Sequence, residues 1–302
     1  DDTAAGSGAG SARVFLRTGT TWAAEAQLLA TGATAGDAFG GAVALAADGS
    51  RAVVGAARGG IGIGSARVFT RSVTVWTQEA TLLLPVGVFG DDFGTSVALA
   101  ADASRALVGA INDTAAGANA GSAAVFLRTG TAWTYEVTLF AAGAAASDGF
   151  GRSVALSSDA SRAVIGTPFD DTTGGTDAGS ARSFVRTGTS WSEETTLVAS
   201  DGAGLDRCGW AVALSADGSL ALAGAFTDST RLGASEGSVR VFTRSGTTWT
   251  EGEKLVSAGG AASDFFGRAV SLSSDGTRAL VGAPFRESGA IGNAGSALVF
   301  AL

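Results

Sequence analysis

Short apolar runs separated by small polar residues set the pattern of the chain. Early in the sequence they fall at 43–46, 51–54, 65–70 and 76–84, and each run is bounded by Gly, Asp or Ser. The runs are rich in Val, Leu, Phe, Thr and Trp, side chains that suit the pleated surface of a sheet. No segment combines a helical apolar period of about 3.6 residues with caps at both ends. The pattern therefore predicts short antiparallel strands and an all-β fold.

Three markers repeat in a fixed order along the chain. An Asp-x-Phe-Gly marker occurs at 37–40, 91–94, 148–151, 206–209 and 264–267, with Cys208 in place of Phe in the fourth copy. A tryptophan recurs at Trp22, Trp76, Trp133, Trp191 and Trp249. A Gly-Ser run that leads into apolar residues begins at Gly10, Gly64, Gly121, Gly179, Gly237 and Gly295. Successive Gly-Ser runs are 54, 57, 58, 58 and 58 residues apart, so one unit is written five times.

Four strands in each unit are typical of a β-propeller blade. We therefore predict one domain over residues 1–302, a five-bladed β-propeller with four-stranded antiparallel blades. The chain starts inside a repeat without an initiator Met, which indicates a processed or excised piece. Pairing of the N- and C-terminal segments would close the ring, because the blade opened by Phe266 lacks a fourth strand that 22–29 can supply. One third strand, 11–17 or 296–302, is then surplus and can add as a fifth strand, fray or pair with a second molecule.

Two sequence features carry a resemblance to a known family. Phe266-Gly267 is followed by Gly282-Ala283-Pro284, and the run Val-Phe-x-Arg-x-Gly-x-x-Trp stands at 241–249. Together they resemble the FG-GAP repeat of the integrin α-subunit propeller, in the variety found in bacterial surface proteins. The resemblance extends over essentially the whole chain. It implies a propeller fold and an exported protein at the cell surface or outside the cell, although a fold does not by itself fix a function.

The chain departs from that family at the place of the family's calcium loop. Between the first and second strands each unit carries a single carboxylate, at Asp48, Asp102, Asp159, Asp217 and Asp275. Calcium takes six to eight oxygen ligands, usually from several carboxylates, so one carboxylate per loop predicts a tight turn and no metal site. The five units also differ from the seven blades of integrin propellers.

Charge and composition exclude several classes of function. The chain has 20 Lys and Arg against 28 Asp and Glu, a net charge of −8, and no basic run, so no nucleic-acid partner is expected. No stretch approaches about 20 apolar residues, and no membrane span is expected. Histidine is absent and Cys208 is the single cysteine, which removes His-based triads and metal sites. We predict neither enzymatic activity nor a cofactor, with a carboxylate-based glycan-active enzyme as the least favoured alternative.

Several residues repeat in register and are interpreted as structural. The repeated tryptophans are expected in core or inter-blade packing, in preference to sugar platforms. Arg17, Arg71, Arg128, Arg186 and Arg244 enter the hairpin between third and fourth strands. Glutamates follow three residues after four of the tryptophans, at Glu25, Glu79, Glu136 and Glu194. Cross-strand pairing of these arginines and glutamates is the expectation.

The marker aspartates are the first candidates for a ligand face. Asp37, Asp91, Asp148, Asp206 and Asp264 all precede a first strand and so are expected around the axis on one face. They could hold a cation or a polar ligand, but the favoured interpretation is that each accepts backbone N–H groups in its own loop. Trp210 breaks the repeat directly after the Cys208 marker, and it either refills the volume lost by the Phe-to-Cys exchange or lies exposed near the channel mouth.

The loops between second and third strands vary most and are expected on the same face. Loops on a rigid scaffold usually carry recognition. Their polar candidates are Asn112, Asp113, Asp170, Asp171, Asp228, Arg231, Arg286 and Glu287. We predict a secreted or cell-surface module that binds a protein or a glycan through these loops, as a monomer, with a strand-swapped oligomer as a second option. The alternative is a structural module of a longer repeat array without a small ligand.

Overall fold

The computed structural model describes residues 2–230, 233–287 and 292–302. First strands of the units are β3 (Phe39–Leu45), β7 (Phe93–Leu99), β11 (Ser153–Leu156), β15 (Ala211–Leu214) and β19 (Ala269–Leu272). Second strands are β4 (Arg51–Ala56), β8 (Arg105–Ala110), β12 (Arg162–Thr167), β16 (Leu220–Ala225) and β20 (Arg278–Ala283). Third strands are β1 (Ala12–Thr18), β5 (Ser65–Ser72), β9 (Ser122–Thr129), β13 (Ser180–Thr187), β17 (Ser238–Ser245) and β21 (Ser296–Ala301). Fourth strands are β2 (Thr21–Leu28), β6 (Val75–Leu82), β10 (Ala132–Leu139), β14 (Ser190–Leu197) and β18 (Thr248–Leu255).

Each complete unit folds into one antiparallel sheet whose strands follow chain order. The four-stranded sheets are β3–β6, β7–β10, β11–β14 and β15–β18, and the terminal segments form a two-stranded sheet, β1–β2, and a three-stranded sheet, β19–β21. One four-residue helical turn, α1 (Gly59–Gly62), lies in a loop. The predictions of an all-β chain and of a five-bladed β-propeller with four-stranded antiparallel blades are confirmed.

Strand pairing at the two ends differs from the expected closure. Strand β2 pairs with β1 from Thr18↔Thr21 to Ala12↔Leu28, whereas β21 pairs with β20. The fourth strand 22–29 therefore does not complete the blade opened by Phe266. A hairpin of neighbouring strands closes a very short loop, and pairing of the two chain ends would close a very long one at greater entropic cost.

The hydrophobic core lies between neighbouring sheets. The cluster between the first two complete blades joins Val68 and Leu82 of one sheet to Phe93, Val108 and Phe126 of the next. Similar clusters lie between the later pairs of blades. The tryptophans Trp76, Trp133, Trp191 and Trp249 pack against these clusters. Burial of one such large side chain contributes about 1.5–3 kcal/mol, so inter-blade contacts supply much of the stability.

A glutamate of one blade also holds the tryptophan of the next. Glu25 accepts the indole N–H of Trp76 at 2.9 Å, and Glu79 accepts that of Trp133 at 3.1 Å. Glu79 in addition receives two hydrogen bonds from Arg51, both at 3.0 Å. Hydrogen bonds from Arg71 and Trp76 lower the pKa of Glu25 to about 2.

The expected pairing of the hairpin arginines with these glutamates is wrong for most of the set. Arg128 donates to the backbone carbonyl oxygens of Ala103 and Gly130, and Arg186 and Arg244 make equivalent contacts. Arginines at the start of second strands, as in the pair Arg105–Glu136, take the glutamates instead. Arg71 does pair with a glutamate of the set, Glu25, which lies in the neighbouring sheet.

Candidate functional site

The loops before first strands and those between second and third strands lie at the same edge of the blades. The backbone N–H of Arg58 donates to the carbonyl oxygen of Asp37 at 3.3 Å, and that of Asn112 donates to Asp91 at 3.2 Å. Phe169 makes the equivalent bond at 3.2 Å in the next blade. The two loop sets therefore form one edge of the propeller, which we call the loop edge.

The marker aspartates lie beneath the surface of the loop edge. Each Oδ2 accepts the backbone N–H of the residue three positions earlier, at 2.6–2.9 Å in all five copies. Their exposed fractions range from 1% for Asp91 to 7% for Asp206. Burial raises the pKa of Asp91, Asp148 and Asp206, and neighbouring carboxylates add to it. The carboxylates thus close their own loops.

The aspartates of the second set of loops are also mostly engaged within the chain. Asp113 accepts the Ser122 hydroxyl, and Asp170 and Asp228 accept the hydroxyl groups of Ser180 and Ser238. Asp170 also pairs with Arg182 at 2.8 Å, and Lys254 lies 2.7 Å from Asp228. These three carboxylates are buried, and they hold the loops to the third strands.

The other predicted residues of these loops are more accessible. Asn112 donates to Asp92 at 2.9 Å, and Asp171 accepts the backbone N–H of Asp177 at 3.0 Å. Arg286 donates to the carbonyl oxygen of Ala258 at 2.8 Å, and Glu287 is exposed. Arg231 lies outside the described residues.

Five aromatic rings form a continuous row along the loop edge. We call this row the aromatic ladder; its members are Phe169, Trp210, Phe226, Phe265 and Phe285. Ring centroids are 6.2 Å apart for Phe169–Trp210, 4.5 Å for Trp210–Phe226, and 5.4 Å for each of the next two pairs. Phe226 is buried, whereas Phe285 is 44% exposed. The ladder links the last three sheets and presents aromatic faces beside the loops.

Three arginines lie against the ladder. The guanidinium carbon of Arg152 is 4.1 Å from the Trp210 ring centroid, and that of Arg268 is 5.4 Å from the same centroid. Arg207 lies 5.6 Å from Phe169 and 5.8 Å from Phe226. These are cation–π distances, which favour a positive charge over a ring face.

The charges of these arginines are not balanced locally. Within residues 2–230, 233–287 and 292–302, no ion pair involves Arg152, Arg207 or Arg268. The buried Nε of Arg207 also has no hydrogen-bond partner in that part of the chain. Burial, with the charge of Arg268 added to it, lowers the pKa of Arg152. The ladder is therefore a positive, aromatic surface on an acidic protein.

A cavity opens at the Phe169 end of the ladder. It encloses about 310 Å³ and is lined by Ile111, Asn112, Asn119, Ser147, Gly149, Phe169 and Asp177. Amide, hydroxyl and carboxylate groups thus surround an aromatic face there. Such a mixture can orient a polar ligand while its apolar side packs on the ring.

The sequence predicted two members of this site, Trp210 and Asn112, and missed the others. Trp210 was singled out because it breaks the repeat, and the structure places it in the middle of the ladder. The same position holds Arg152 and Arg268 in other units, but Gly41 and Thr95 in the first two. The missed signal is this difference between early and late units, which only a comparison of the repeats with each other reveals.

Three further features limit what the described part of the chain can do. Among the described residues, no group of three or more Cys, Asp or Glu side chains is arranged to hold a metal ion. Burial raises the pKa of the Cys208 thiol to about 12, so it is protonated at neutral pH. The described residues also contain no helix long and apolar enough to cross a membrane.

Stacked four-stranded blades with an aromatic and polar loop edge define a β-propeller built from repeated units. The family model of the FG-GAP repeat matches residues 22–69, 76–126, 133–182, 191–242 and 249–300. The chain belongs to the FG-GAP repeat family. Each matched unit begins at a repeated tryptophan and so joins the fourth strand of one sheet to three strands of the next. A search of curated protein sequences finds no significant match.

Proposed function

We propose that this FG-GAP propeller is a non-enzymatic binding module, secreted or on the cell surface, that recognises a protein or a glycan through its loop edge. The aromatic ladder carries the proposal. Aromatic side chains and arginine are enriched where proteins recognise partners, because they combine large contact areas with directional polar groups. Here they lie on loops held by a rigid stack of sheets, the arrangement in which recognition is usually found.

The chemistry of the titratable groups supports binding over catalysis. A nucleophilic cysteine needs a thiolate, and the buried Cys208 has a pKa of about 12. The carboxylates with raised pKa values, Asp91, Asp148 and Asp206, are each bonded within their own loops. A general acid must reach its substrate, and these three carboxyl groups are at most 7% exposed.

The test compares binding by the wild-type protein and by Trp210→Ala on arrays of oligosaccharides and purified extracellular proteins. We expect saturable binding by the wild type and at least a tenfold loss for Trp210→Ala. Trp22→Ala is the matched control, because Trp22 is 64% exposed on the terminal hairpin, away from the ladder. Absence of saturable binding on both arrays, or equal loss in both variants, would contradict the proposal.

A structural role in a longer array, or between copies, is a second candidate. Val43 and Leu45 on β3 are 63% and 56% exposed, and Leu280 and Val299 on the last sheet are 47% and 64% exposed. Equivalent residues of inner blades pack against a neighbouring sheet. The monomer nevertheless remains our proposal for the isolated chain. Light scattering coupled to size-exclusion chromatography should give a mass near 29.5 kDa, and a multiple of it would favour the strand-swapped form.

A further inference from the structure

The positive charge on the ladder contrasts with the charge of the whole chain. The net charge is −8, yet three arginines converge within one row of rings without an ion-pair partner among the described residues. Some buried arginines of the chain have ion-pair partners, as Arg182 does with Asp170 and Glu193, whereas the buried Arg67 has none within the part of the chain that the structure describes. The three ladder arginines are distinguished by their meeting at one row of aromatic rings.

Two of the guanidinium groups share one ring. Arg152 and Arg268 both lie over Trp210, and Arg268 is also 5.2 Å from the centroid of Phe226. The charge of Arg268 adds to the effect of burial in lowering the pKa of Arg152, so the two like charges repel each other. An anion placed between them would relieve that repulsion and could accept paired hydrogen bonds, as carboxylates do from arginine.

The carboxylates closest in sequence to these arginines are committed elsewhere. Asp206, directly before Arg207, accepts the backbone N–H of Ala203 at 2.7 Å. Asp264 accepts that of Ala261 at 2.9 Å. The Asp148 carboxylate accepts that of Ala145 at 2.7 Å. The arginines are thus left for an anion that is not part of this chain.

The rings and the neighbouring cavity indicate what carries that anion. Phe285 is 44% exposed at one end of the ladder, and Phe169 faces the polar cavity at the other. The apolar face of a sugar ring packs on an aromatic face, while its hydroxyl groups require amide, hydroxyl and carboxylate partners. Asn112, Asn119 and Asp177 provide such groups around Phe169. A linear acidic peptide would use the arginines but has less need of this cavity.

We propose that the aromatic ladder binds a carboxylated glycan, with a uronate carboxylate held by Arg152 and Arg268 and sugar rings packed along the ladder. The inference rests on the proposed binding function and specifies its ligand class. It also predicts an ionic-strength dependence, since an exposed charge pair is screened over about 8 Å at physiological salt.

The test uses the full chain and three probes, in calorimetric titrations. The probes are an oligogalacturonate, the same oligosaccharide fully methyl-esterified, and a Glu-rich peptide of equal charge. We expect the oligogalacturonate to bind at least tenfold more tightly than the ester or the peptide, and its affinity to fall with added salt. Arg268→Gln should weaken oligogalacturonate binding at least tenfold, because it removes a charged hydrogen bond to the carboxylate. Arg268 is exposed, so the substitution should leave the fold intact. Arg278→Gln is the control, an exposed arginine of the same sheet that lies at the end of β20 opposite the loop edge, since Ala269 pairs with Gly282 and Arg278 pairs with Ala301.

Each alternative outcome overturns the inference in a distinguishable way. Equal binding of the ester and the acid would refute the role of the arginines while leaving glycan binding in place. Tighter binding of the peptide would refute the glycan class but keep the binding function. Binding of none of the probes would refute the inference, and the Trp210→Ala arrays then decide the proposed function separately. The inference would also be refuted if Arg268→Gln and Arg278→Gln both bound oligogalacturonate as tightly as the wild type.

Discussion

A glycine in each second strand allows neighbouring sheets to approach, and its substitution tests how the sheets are stacked. A side chain at Gly109 on β8 would collide with the backbone carbonyl oxygen of Gly151 in the next blade. Gly55, Gly166 and Gly224 have the same relation to the blades that follow them. The equivalent residue of the last sheet is Gly282, where an added Cβ would meet Ala269 at an ordinary 3.5 Å. We therefore compare Gly109→Ala with Gly282→Ala.

The structure sets the size of the effect. At Gly109 the sheets would have to separate by about 1 Å to restore a normal contact, and the obstacle is backbone that cannot rotate away. Overpacking of this kind costs about 1–3 kcal/mol or more. Glycine to alanine also restricts the unfolded chain, which stabilises by about 0.4–1 kcal/mol where the native backbone allows it. Gly109→Ala should therefore destabilise by about 1–3 kcal/mol, and Gly282→Ala should be neutral or slightly stabilising.

Urea unfolding followed by tryptophan fluorescence measures both variants under the same conditions. Gly109→Ala should shift the midpoint to lower urea, and Gly282→Ala should not. An equal shift in both variants would refute the end structure described above, because Gly282 would then have to face another sheet, as it would in a ring closed through the terminal segments or between two copies. No shift in Gly109→Ala would refute close stacking itself.

Three further outcomes follow from the contacts. Glu79→Gln should lower the free energy of unfolding by about 1–2 kcal/mol in urea titrations, since it weakens acceptors used by Arg51 and Trp133, and Arg51→Leu/Glu79→Gln should recover part of the loss. Hydrogen bonds from Ser215 and Ser219 lower the pKa of Asp217 to about 2, so its folded pKa lies below its unfolded value of about 4. The contribution of the Asp217 carboxylate to the free energy of unfolding is present above the unfolded pKa and is lost as pH falls through the folded pKa. The difference in melting midpoint between the wild type and Asp217→Asn should therefore disappear between about pH 4 and pH 2. Calcium and EDTA should leave the midpoint unchanged, and a shift would contradict the single-carboxylate interpretation of the turns.

Repetition made the fold predictable from the sequence. The spacing of the Gly-Ser runs predicts five units, the apolar runs predict four strands in each unit, and these strands form in the expected order. The strand pairing at the two chain ends was not predictable from the sequence. Strand β2 can form hydrogen bonds either with its neighbour β1, as it does, or with the incomplete sheet at the C-terminal end. Strand pattern is the same in both cases, and the choice depends on loop closure and packing between distant parts of the chain.

The partners of the repeated glutamates were mispredicted for a related reason. Cross-strand neighbours can be read from a hairpin, but Glu79 bonds to Trp133, which lies in the following blade. Contacts between stacked sheets depend on their separation and offset, and neither is encoded by strand periodicity. The chain does leave a trace of the arrangement: in the blade β15–β18, Leu220 and Gly252 stand where earlier blades have the arginine and the glutamate, so both partners are lost together.

The candidate site could not be predicted from the repeat in the way that the fold could, since it consists of residues that differ between the units. The marker aspartates recur in every unit and accept hydrogen bonds within their own loops, whereas the positions that form the ladder hold no aromatic residue in the first two units. A regular stack would place identical side chains around the loop edge. Substitution in the last three units instead concentrates rings and arginines on one side of it. In the proposed function, recognition therefore depends on this difference between the units, and exchange of Trp210 for Thr, the residue at position 95, should remove binding while leaving the blades intact.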